Sequence, residues 1–301
     1  MTAGHPARHE GAPRLRTGVI SAGRVGAVLG AALQRAGHHA EAVSAVSRAS
    51  LTRAEELLPG VPVRPPDEVA ASADLVVLAL PDDALPGMVR GLVAAGSLRS
   101  GQIVLHTCGA RGVEVLAPAA EVGALPLALH PAMTFTGRSE DLERLNTACA
   151  AVTAGDEAGW NVAEALAVEL GTEPVRVPED SRLLYHAALA HGSNHLVTLV
   201  NDCVELLQRA GVDSAERVAA PMLSAALDNA LRFGPRAITG PVSRGDAGTV
   251  RAHLGSLADT DAGAVPAYTA LARRTAERAV RSGVLREDEA TEVRDVLGEE
   301  S

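Results

Sequence analysis

Lysine is absent from this chain of 301 residues, so all 27 of its strongly basic side chains are arginines. The absence excludes a Schiff-base lysine, a phosphate-loop lysine and a lysine general acid. Proton transfer near neutral pH must therefore come from histidine, a perturbed carboxyl group, tyrosine, cysteine, a hydroxyl or water.

Cysteines and long apolar runs are also scarce. Cys108, Cys149 and Cys203 lie far apart and form no Cys-x-x-Cys pair, which indicates neither a metal site nor a disulfide framework. No apolar run is long enough to span a bilayer, and a net charge of −10 argues against nucleic acid as a partner. We expect a cytoplasmic protein with no metal and no membrane partner. Residues 1–15 lack an apolar signal core and are predicted to be a disordered leader.

The order of apolar runs and helical patterns predicts an α/β fold of two domains. Residues 16–178 alternate strands with helices, which is typical of a Rossmann-type, doubly wound, mostly parallel sheet. Residues 179–301 show only helical patterns and predict an all-α C-terminal domain. The predicted strands are 16–20, 40–47, 75–80, 103–105, 124–129, 148–153 and 175–177. The predicted C-terminal helices are 181–210, 213–232, 247–257, 264–281 and 286–297.

The segment 18–26 is typical of a dinucleotide-binding turn between a strand and a helix. Its glycines let the backbone approach a pyrophosphate, and the helix that follows offers free N–H groups to that anion. Ser21 replaces the first glycine of the usual Gly-x-Gly-x-x-Gly motif, which weakens the match. The alternative interpretation is an ordinary turn between a strand and a helix, in which the small residues serve packing. The predicted pyrophosphate residues are Ser21, Ala22, Gly23, Arg24, Val25 and Gly26.

The end of the second predicted strand indicates which dinucleotide binds. An NAD enzyme usually places a carboxylate there for the ribose hydroxyl, whereas this chain has Ser47 and Arg48, which suit the 2′-phosphate of NADP(H). Leu80 and Pro81, at the end of the next predicted strand, and Thr107, after the strand that follows it, are predicted to complete the NADPH/NADP⁺ site.

Histidines supply the candidate proton donors. His130 follows a strand at the ligand-binding edge, where it can assist protonation or hold its loop by bonding a backbone carbonyl. His106 is a similar but weaker candidate, and His186 near the start of the long helix can approach the same cleft.

The C-terminal region contributes further candidates. Asn194 lies on an uncharged stripe of the predicted helix 181–210. This stripe faces a cleft or another subunit, or forms a close helix packing seam. Arg244, in a loop rich in Gly and Pro, can bind a carboxylate or form a salt bridge with Asp246. Ser193 and Thr239 join Arg244 as predicted substrate-binding residues, and Asp246 is predicted to cap the next helix.

Taken together, these segments resemble a family of bacterial proteins with an N-terminal Rossmann-like domain and a C-terminal helical domain of unknown function. The matching pieces are Gly23–Gly26, Leu80-Pro81-Asp82, His106-Thr107-x-Gly109, His130-Pro131-x-x-Thr134-Phe135, Tyr185–Ala188, Ser193-Asn194 and Thr239-Gly240-Pro241-x-x-Arg244-Gly245-Asp246. The family is similar, more distantly, to pyrroline-5-carboxylate reductase and the β-hydroxyacid dehydrogenases. Some members are an alternative class of ketopantoate reductases, which serve pantothenate synthesis.

The chain departs from these relatives at informative positions. Cys108 stands where serine is expected, and Ser21 replaces a glycine. The β-hydroxyacid dehydrogenases use a helix lysine shortly before an asparagine; Asn194 matches that asparagine, but Ala190 stands at the lysine position. The protonating role must therefore move to His130, His186 or an ordered water, or be absent.

The resemblance implies an NADPH-dependent reductase of a small 2-oxo acid, with ketopantoate as the first candidate. In this scheme Asn194 orients the carbonyl, His130 or His186 assists protonation, and Arg244 binds the carboxylate. An imine reductase of the pyrroline-5-carboxylate type is one alternative, because its substrate arrives already protonated. A noncatalytic NADP(H)-binding sensor is another. The resemblance and the uncharged stripe also imply a homodimer through the C-terminal helices.

Overall fold

The computed structural model describes residues 14–298, so nearly all of the predicted leader lies outside the described residues. The chain divides into two compact units, one ending at His191 and the other beginning at Gly192. A boundary between domains at residues 178 and 179 stays a prediction.

Seven strands of the first unit form a single sheet within the described residues. The strands are β1 (Arg16–Ile20), β2 (His39–Val43), β3 (Leu75–Leu78), β4 (Ile103–His106), β5 (Leu125–Pro131), β6 (Cys149–Ala154) and β7 (Glu173–Arg176). Their order is β2-β1-β3-β4-β5-β6-β7, and every neighbouring pair is parallel except β5 and β6. The prediction of a mostly parallel sheet is therefore confirmed.

Helices cover both faces of the sheet, as a doubly wound fold requires. They are α1 (Arg24–Arg35), α2 (Arg48–Leu57), α3 (Pro66–Ser72), α4 (Leu85–Ala94), α5 (Ala117–Glu121), α6 (Glu140–Arg144) and α7 (Glu157–Glu169). Val19 and Val77 point into a core shared with α1, α2 and α7. Ile20 and Val76 point the other way, into a core shared with α3, α4 and α5. Successive strand residues thus fill opposite cores.

Five helices follow the sheet: α8 (Arg182–Arg209), α9 (Ala215–Phe233), α10 (Ala247–Thr260), α11 (Ala264–Arg281) and α12 (Glu287–Val296). They confirm the predicted all-α region. The first residues of α8 belong to the first unit, and its remainder belongs to the second. The core of the second unit is small and is shared by α10, α11 and α12 around Val250, Ala276 and Val293.

The helices α10 and α4 differ in how their first turns are capped. Asp246 caps α10 as predicted, because its carboxylate accepts a hydrogen bond from the Thr249 N–H at 3.0 Å. Asp82 and Asp83, in contrast, do not cap α4. A turn in which the Pro81 carbonyl accepts the Ala84 N–H delays the helix, and its N-cap Ala84 makes no side-chain bond. Across residues 14–298, no helix combines the length and apolar character needed to cross a membrane.

Candidate functional site

The turn between β1 and α1 has the close backbone packing that a dinucleotide motif requires. Gly26 cannot carry a side chain, because a Cβ there would collide with the Ser21 carbonyl oxygen and lie 2.9 Å from the Cβ of Ala79. Ser21 has a φ of +78°, the left-handed conformation that favours glycine. Its N–H donates to the Ser44 hydroxyl at 2.8 Å, and this bond ties the turn to the end of β2. The turn therefore keeps the backbone shape of a glycine-rich motif although its first glycine is missing.

The first turn of α1 is free to receive an anion. Its N-cap, Gly23, makes no side-chain cap bond, and the first turn contains no acidic residue. The N–H groups at a helix start carry a partial positive charge that favours phosphate.

Ser47 and Arg48 lie at the start of α2, a few residues after the end of β2. Ser47 is the N-cap of the helix and accepts the Ser50 N–H at 3.1 Å, so this serine has a structural role of its own. Arg48 is exposed and forms no ion pair with any residue between 14 and 298. Arg24 and Arg53 lie against Gly137, where a Cβ would be 2.9 Å from the Arg24 Cγ and 2.8 Å from the Arg53 Nε. The sequence did not predict that Arg53 lies near Arg24, because the two arginines belong to different helices and helix periodicity relates only residues within one helix.

The remaining predicted cofactor residues follow β3 and β4. Thr107 is buried and donates its backbone N–H to the Leu78 carbonyl at 3.2 Å, Leu80 is half-buried, and Pro81 is exposed. The strands β2, β1, β3 and β4 are parallel neighbours. All eleven cofactor candidates named from the sequence therefore lie at or just beyond the carboxyl edge of this half of the sheet.

His106 holds its own loop. The side chain is fully buried at the end of β4, its Nδ1 accepts the Cys108 N–H at 3.1 Å, and its Nε2 therefore carries the proton donated to the Gly112 carbonyl at 2.8 Å. Burial lowers the pKa of His106 to about 4. Both ring nitrogens are occupied, so the structure favours the loop-holding role for this weaker candidate.

His130, at the end of β5, lies in a cluster with two residues from the first turns of α8. Its Nδ1 is 2.9 Å from the Tyr185 hydroxyl. The His186 ring stands edge-on to it, with ring centroids 6.1 Å apart. Gly109 makes room for both imidazoles, because a Cβ there would lie 2.7 Å from the His186 Cδ2 and 3.0 Å from the His130 Nε2. The structure thus brings together two of the three predicted catalytic residues.

The electrostatics of this cluster keep His130 neutral. Burial lowers the pKa of His130 to about 4, and the charges of Arg182 and His186 act in the same direction. Asp82 opposes the shift but is the weakest of the four influences.

Arg182 is a buried cation beneath this cluster, and sequence reasoning missed it. Its side chain is 1% exposed, and the guanidinium donates to the Thr153 hydroxyl at 2.7 Å. It also donates to the carbonyls of Ala128 and Ala151, at 3.1 Å each. No carboxylate within the described residues pairs with it, and its Nη1 is buried without a partner. No spacing in the sequence distinguishes this arginine from the exposed ones.

The other predicted site residues belong to the second unit. Asn194 and Ser193 are exposed on α8, and Thr239 and Arg244 are exposed in the loop before α10. Hydrogen bonds from Thr249 are the main cause of the lowered pKa of Asp246, and the charge of Arg244 lowers it further. Arg244 forms no ion pair with Asp246, whose oxygens bond Thr249. The salt-bridge interpretation of Arg244 is therefore not observed.

Two domain families match the sequence. A Rossmann-like domain matches residues 1–131, and the domain of unknown function DUF2520 matches residues 148–275. Both agree with the resemblance that the sequence motifs indicated. No curated protein matches the chain.

Solved structures are similar over most of the chain. A proposed NADP oxidoreductase from Bacteroides fragilis has a TM-score of 0.74 at 22% identity, covering 88% of this chain and 98% of that one. A reductive aminase from Aspergillus terreus, in complex with NADPH and ethyl-5-oxohexanoate, has a TM-score of 0.64 at 19% identity, covering 94% and 99%. Plasmodium falciparum pyrroline carboxylate reductase, with NADP bound, has a TM-score of 0.55 at 11% identity, covering 93% and 98%. At these identities the likeness is one of fold.

Proposed function

We propose that this chain, whose sequence matches a Rossmann-like domain and the domain DUF2520, is an NADP(H)-dependent oxidoreductase. Relatives in fold that carry NADP or NADPH support this proposal. The substrate class that we infer is a small 2-oxo acid. Ketopantoate, reduced to pantoate for pantothenate synthesis, is the first candidate.

The charge of the histidine cluster is the observation that carries the substrate class. His130 is neutral and lies above Arg182, a buried cation with no carboxylate partner among the described residues. A cationic iminium would be repelled by Arg182, whereas the carboxylate of an oxo acid and the negative charge that develops on its carbonyl oxygen would be stabilised. We therefore place the oxo acid ahead of the imine as substrate.

The residues at the sheet edge fit a dinucleotide. The Gly26 contact and the uncapped start of α1 form the cradle for a pyrophosphate, and the exposed Arg48 suits a 2′-phosphate. NADPH, when bound, supplies the hydride. The chain itself positions the substrate, polarises its carbonyl and delivers the proton.

We assign the remaining roles from the residue chemistry. Asn194 can orient the carbonyl or the hydroxyl of the product, and Arg244 can bind the carboxylate through two parallel hydrogen bonds. Ser193 and Thr239 offer hydroxyl groups to the same substrate. The substitution Asn194→Ala tests the first role: turnover should fall while NADPH affinity stays constant, and unchanged turnover would remove Asn194 from the scheme.

The direct test follows NADPH absorbance with purified full-length protein and ketopantoate, with NADH as a parallel cofactor and pyrroline-5-carboxylate as a parallel substrate. We expect saturable oxidation of NADPH by the oxo acid. Preferential turnover of pyrroline-5-carboxylate would show that the substrate is an imine and not an oxo acid. Tight NADPH binding with no oxidation by oxo acids or imines would favour the noncatalytic sensor.

We also propose a homodimer formed through the C-terminal helices. Helix α9 buries only Ala215 and Ala219, while Val218, Met222, Leu231 and Phe233 on the same helix are each more than half exposed. Exposed apolar side chains in this number on one helix mark an interface. A second copy is the natural occupant, because most soluble oligomers are symmetric homo-oligomers. Sedimentation should give a dimer, and Met222→Glu together with Leu231→Glu should give a monomer.

A cytoplasmic location remains part of this proposal. All three cysteines are free, and Cys108 is buried with a thiol whose pKa burial raises to about 12. Thiols left unpaired in this way are typical of a reducing compartment. Fractionation of cells that express the full chain provides the test.

A further inference from the structure

We propose that His130 and Tyr185 form a proton-delivery pair, in which the His130 Nε2–H protonates the substrate and the Tyr185 hydroxyl replaces that proton through Nδ1. Arg182 is the positioning residue that holds the pair and stabilises the phenolate. This inference rests on the proposed function, because it requires that a carbonyl be reduced at this cluster.

The contacts of His130 leave one ring nitrogen for a ligand. Nδ1 is occupied by the Tyr185 hydroxyl at 2.9 Å. Nε2 has no hydrogen-bond partner among residues 14–298, and it is not one of their buried unsatisfied atoms, so solvent reaches it. Gly109 packs close to this part of the ring, because a Cβ there would lie only 3.0 Å from Nε2. His106 differs from His130, because both of its ring nitrogens are used within the loop.

The relative hydrogen-bonding strengths of Tyr185 and His130 determine which ring nitrogen of His130 carries the proton. A phenol O–H is a stronger donor than a neutral imidazole N–H, and an imidazole nitrogen is a stronger acceptor than a phenol oxygen. Tyr185 therefore donates to Nδ1, and the single proton of the neutral ring lies on Nε2. The available proton thus lies on the ring nitrogen that solvent reaches.

Arg182 places the tyrosine against the histidine. Its guanidinium binds the carbonyls of Ala128 on β5 and Ala151 on β6, and Ala151 is the register partner of His130. The Cζ atom of Arg182 lies 5.9 Å from the centre of the Tyr185 ring. The same side chain therefore anchors the first turn of α8 to the strands and brings a permanent positive charge close to the phenol.

The proton balance of the step is complete. NADPH, when bound, would supply the hydride for the carbonyl carbon, and the carbonyl oxygen takes the proton from His130 Nε2. As that N–H bond breaks, the Tyr185 O–H proton moves to Nδ1, so the imidazole stays neutral. Tyr185 becomes a phenolate beside Arg182 and recovers a proton from water after the product leaves.

The pair responds to pH through a defined set of neighbours. Arg182, His186, Asp82 and the Tyr185 hydroxyl face His130, from α8 and from the loop after β3. Burial raises the pKa of Tyr185, Arg182 lowers it, and Cys149 on β6 raises it slightly. A protonated Tyr185 is required for delivery, so the rate should fall when the phenol titrates at alkaline pH.

The chain contains its own control pair in the second unit. Its only other tyrosine, Tyr268, bonds His253 Nδ1 at 2.9 Å, with the rings also edge-on. Burial alone raises the pKa of Tyr268. The substitution Tyr268→Phe therefore leaves Tyr185 as the only phenol whose titration can be followed by absorbance.

The first experiment needs no turnover and uses the full-length protein. Histidine nitrogen chemical shifts should show His130 with its proton on Nε2 at neutral pH. In Tyr185→Phe the Nδ1 shift should move to that of an unbonded nitrogen, while Tyr268→Phe should leave it in place. In the Tyr268→Phe background, Arg182→Gln should raise the pH at which phenolate absorbance appears. The proposed pair is wrong if His130 carries its proton on Nδ1. It is also wrong if a folded Arg182→Gln protein shows phenolate absorbance at the same pH as its parent.

The second experiment compares kinetics of the two matched tyrosine variants. Tyr185→Phe should lower kcat about 100-fold and remove the alkaline fall in rate, with the KM for NADPH nearly unchanged. Tyr268→Phe should keep the wild-type kcat and profile. Wild-type kcat in Tyr185→Phe overturns the proposal. If the wild-type protein turns over no carbonyl substrate, the proposed function fails, and the nitrogen shifts still decide whether the pair exists.

Discussion

The substitution Gly109→Ala tests whether the histidine cluster depends on its tight packing. A Cβ at this position would lie 2.7 Å from the His186 Cδ2, 3.0 Å from the His130 Nε2 and 3.1 Å from the His130 Cδ2. Nonbonded carbon atoms prefer about 3.5–4.0 Å, so His186 must move by roughly 1 Å. Overpacking of this kind costs about 1–3 kcal/mol of unfolding free energy. A displacement of about 1 Å in a catalytic group lowers the rate roughly 100-fold.

Two glycines of α4 provide matched controls. A Cβ at Gly87 or Gly91 would meet no atom within 4 Å. In a helix, alanine stabilises relative to glycine by about 0.5–1 kcal/mol, so Gly87→Ala and Gly91→Ala should raise the stability that Gly109→Ala lowers. The assay combines denaturant unfolding with NADPH-dependent turnover and with the histidine proton shifts of the folded protein.

The outcome that refutes this reasoning is well defined. A Gly109→Ala protein with wild-type stability, and with His130 and His186 signals at their wild-type positions, would show that the two rings have space to spare. Altered histidine signals with unchanged turnover would instead remove the cluster from the chemistry, while leaving its packing as described.

Three other predictions concern single residues. Ser21→Gly relieves the strain of the left-handed backbone, about 1–2 kcal/mol, at an entropic cost of about 0.5–1 kcal/mol. The free energy of unfolding in urea should therefore rise, and a fall would contradict the strain at this position. Arg48→Gln should weaken NADPH binding about tenfold, because it removes a charge-assisted hydrogen bond to the 2′-phosphate, and it should leave NADH binding unchanged. Equal losses of affinity for both cofactors would argue against a 2′-phosphate contact. His106 has a pKa of about 4 in the fold against 6.5 as its ordinary value, so its stabilising effect is present above pH 6.5 and is lost as the pH falls toward 4. The loss is about 3 kcal/mol, and unfolding curves of His106→Gln should depend less on pH over this window than those of the wild type.

Periodic patterns with clear stops predicted most of the fold. The predicted strand 16–20 and helix 264–281 have the same ends as β1 and α11. In both cases the apolar spacing changes abruptly at glycine or polar residues, so local sequence determines the boundary. The predicted second strand, 40–47, is too long, because β2 ends at Val43 and the next residue, Ser44, turns to bond Ser21. That bond joins residues distant in sequence, and no local pattern contains it.

The candidate site was only partly predictable for the same physical reason. His130 and the strand-end cofactor residues follow from topology, because parallel strands present their carboxyl ends at one edge. The Tyr185 hydroxyl reaches His130 only because Arg182 fixes the start of α8 on β5 and β6. Burial of Arg182 depends on three acceptors from two strands, and its sequence neighbours give no sign of them.

The absence of lysine gives the histidine cluster its distinctive chemistry. The β-hydroxyacid dehydrogenases that the chain resembles use a helix lysine, a side chain that carries both a positive charge and a transferable proton; here Ala190 stands at that position. Arg182 keeps its charge at any working pH but cannot release a proton. His130 is neutral and can release one, yet it contributes no charge. With the two roles on separate side chains, the charge should persist when the proton supply is removed. Tyr185→Phe should therefore retain oxo acid affinity while losing rate, and a parallel loss of both would show that one group serves both roles.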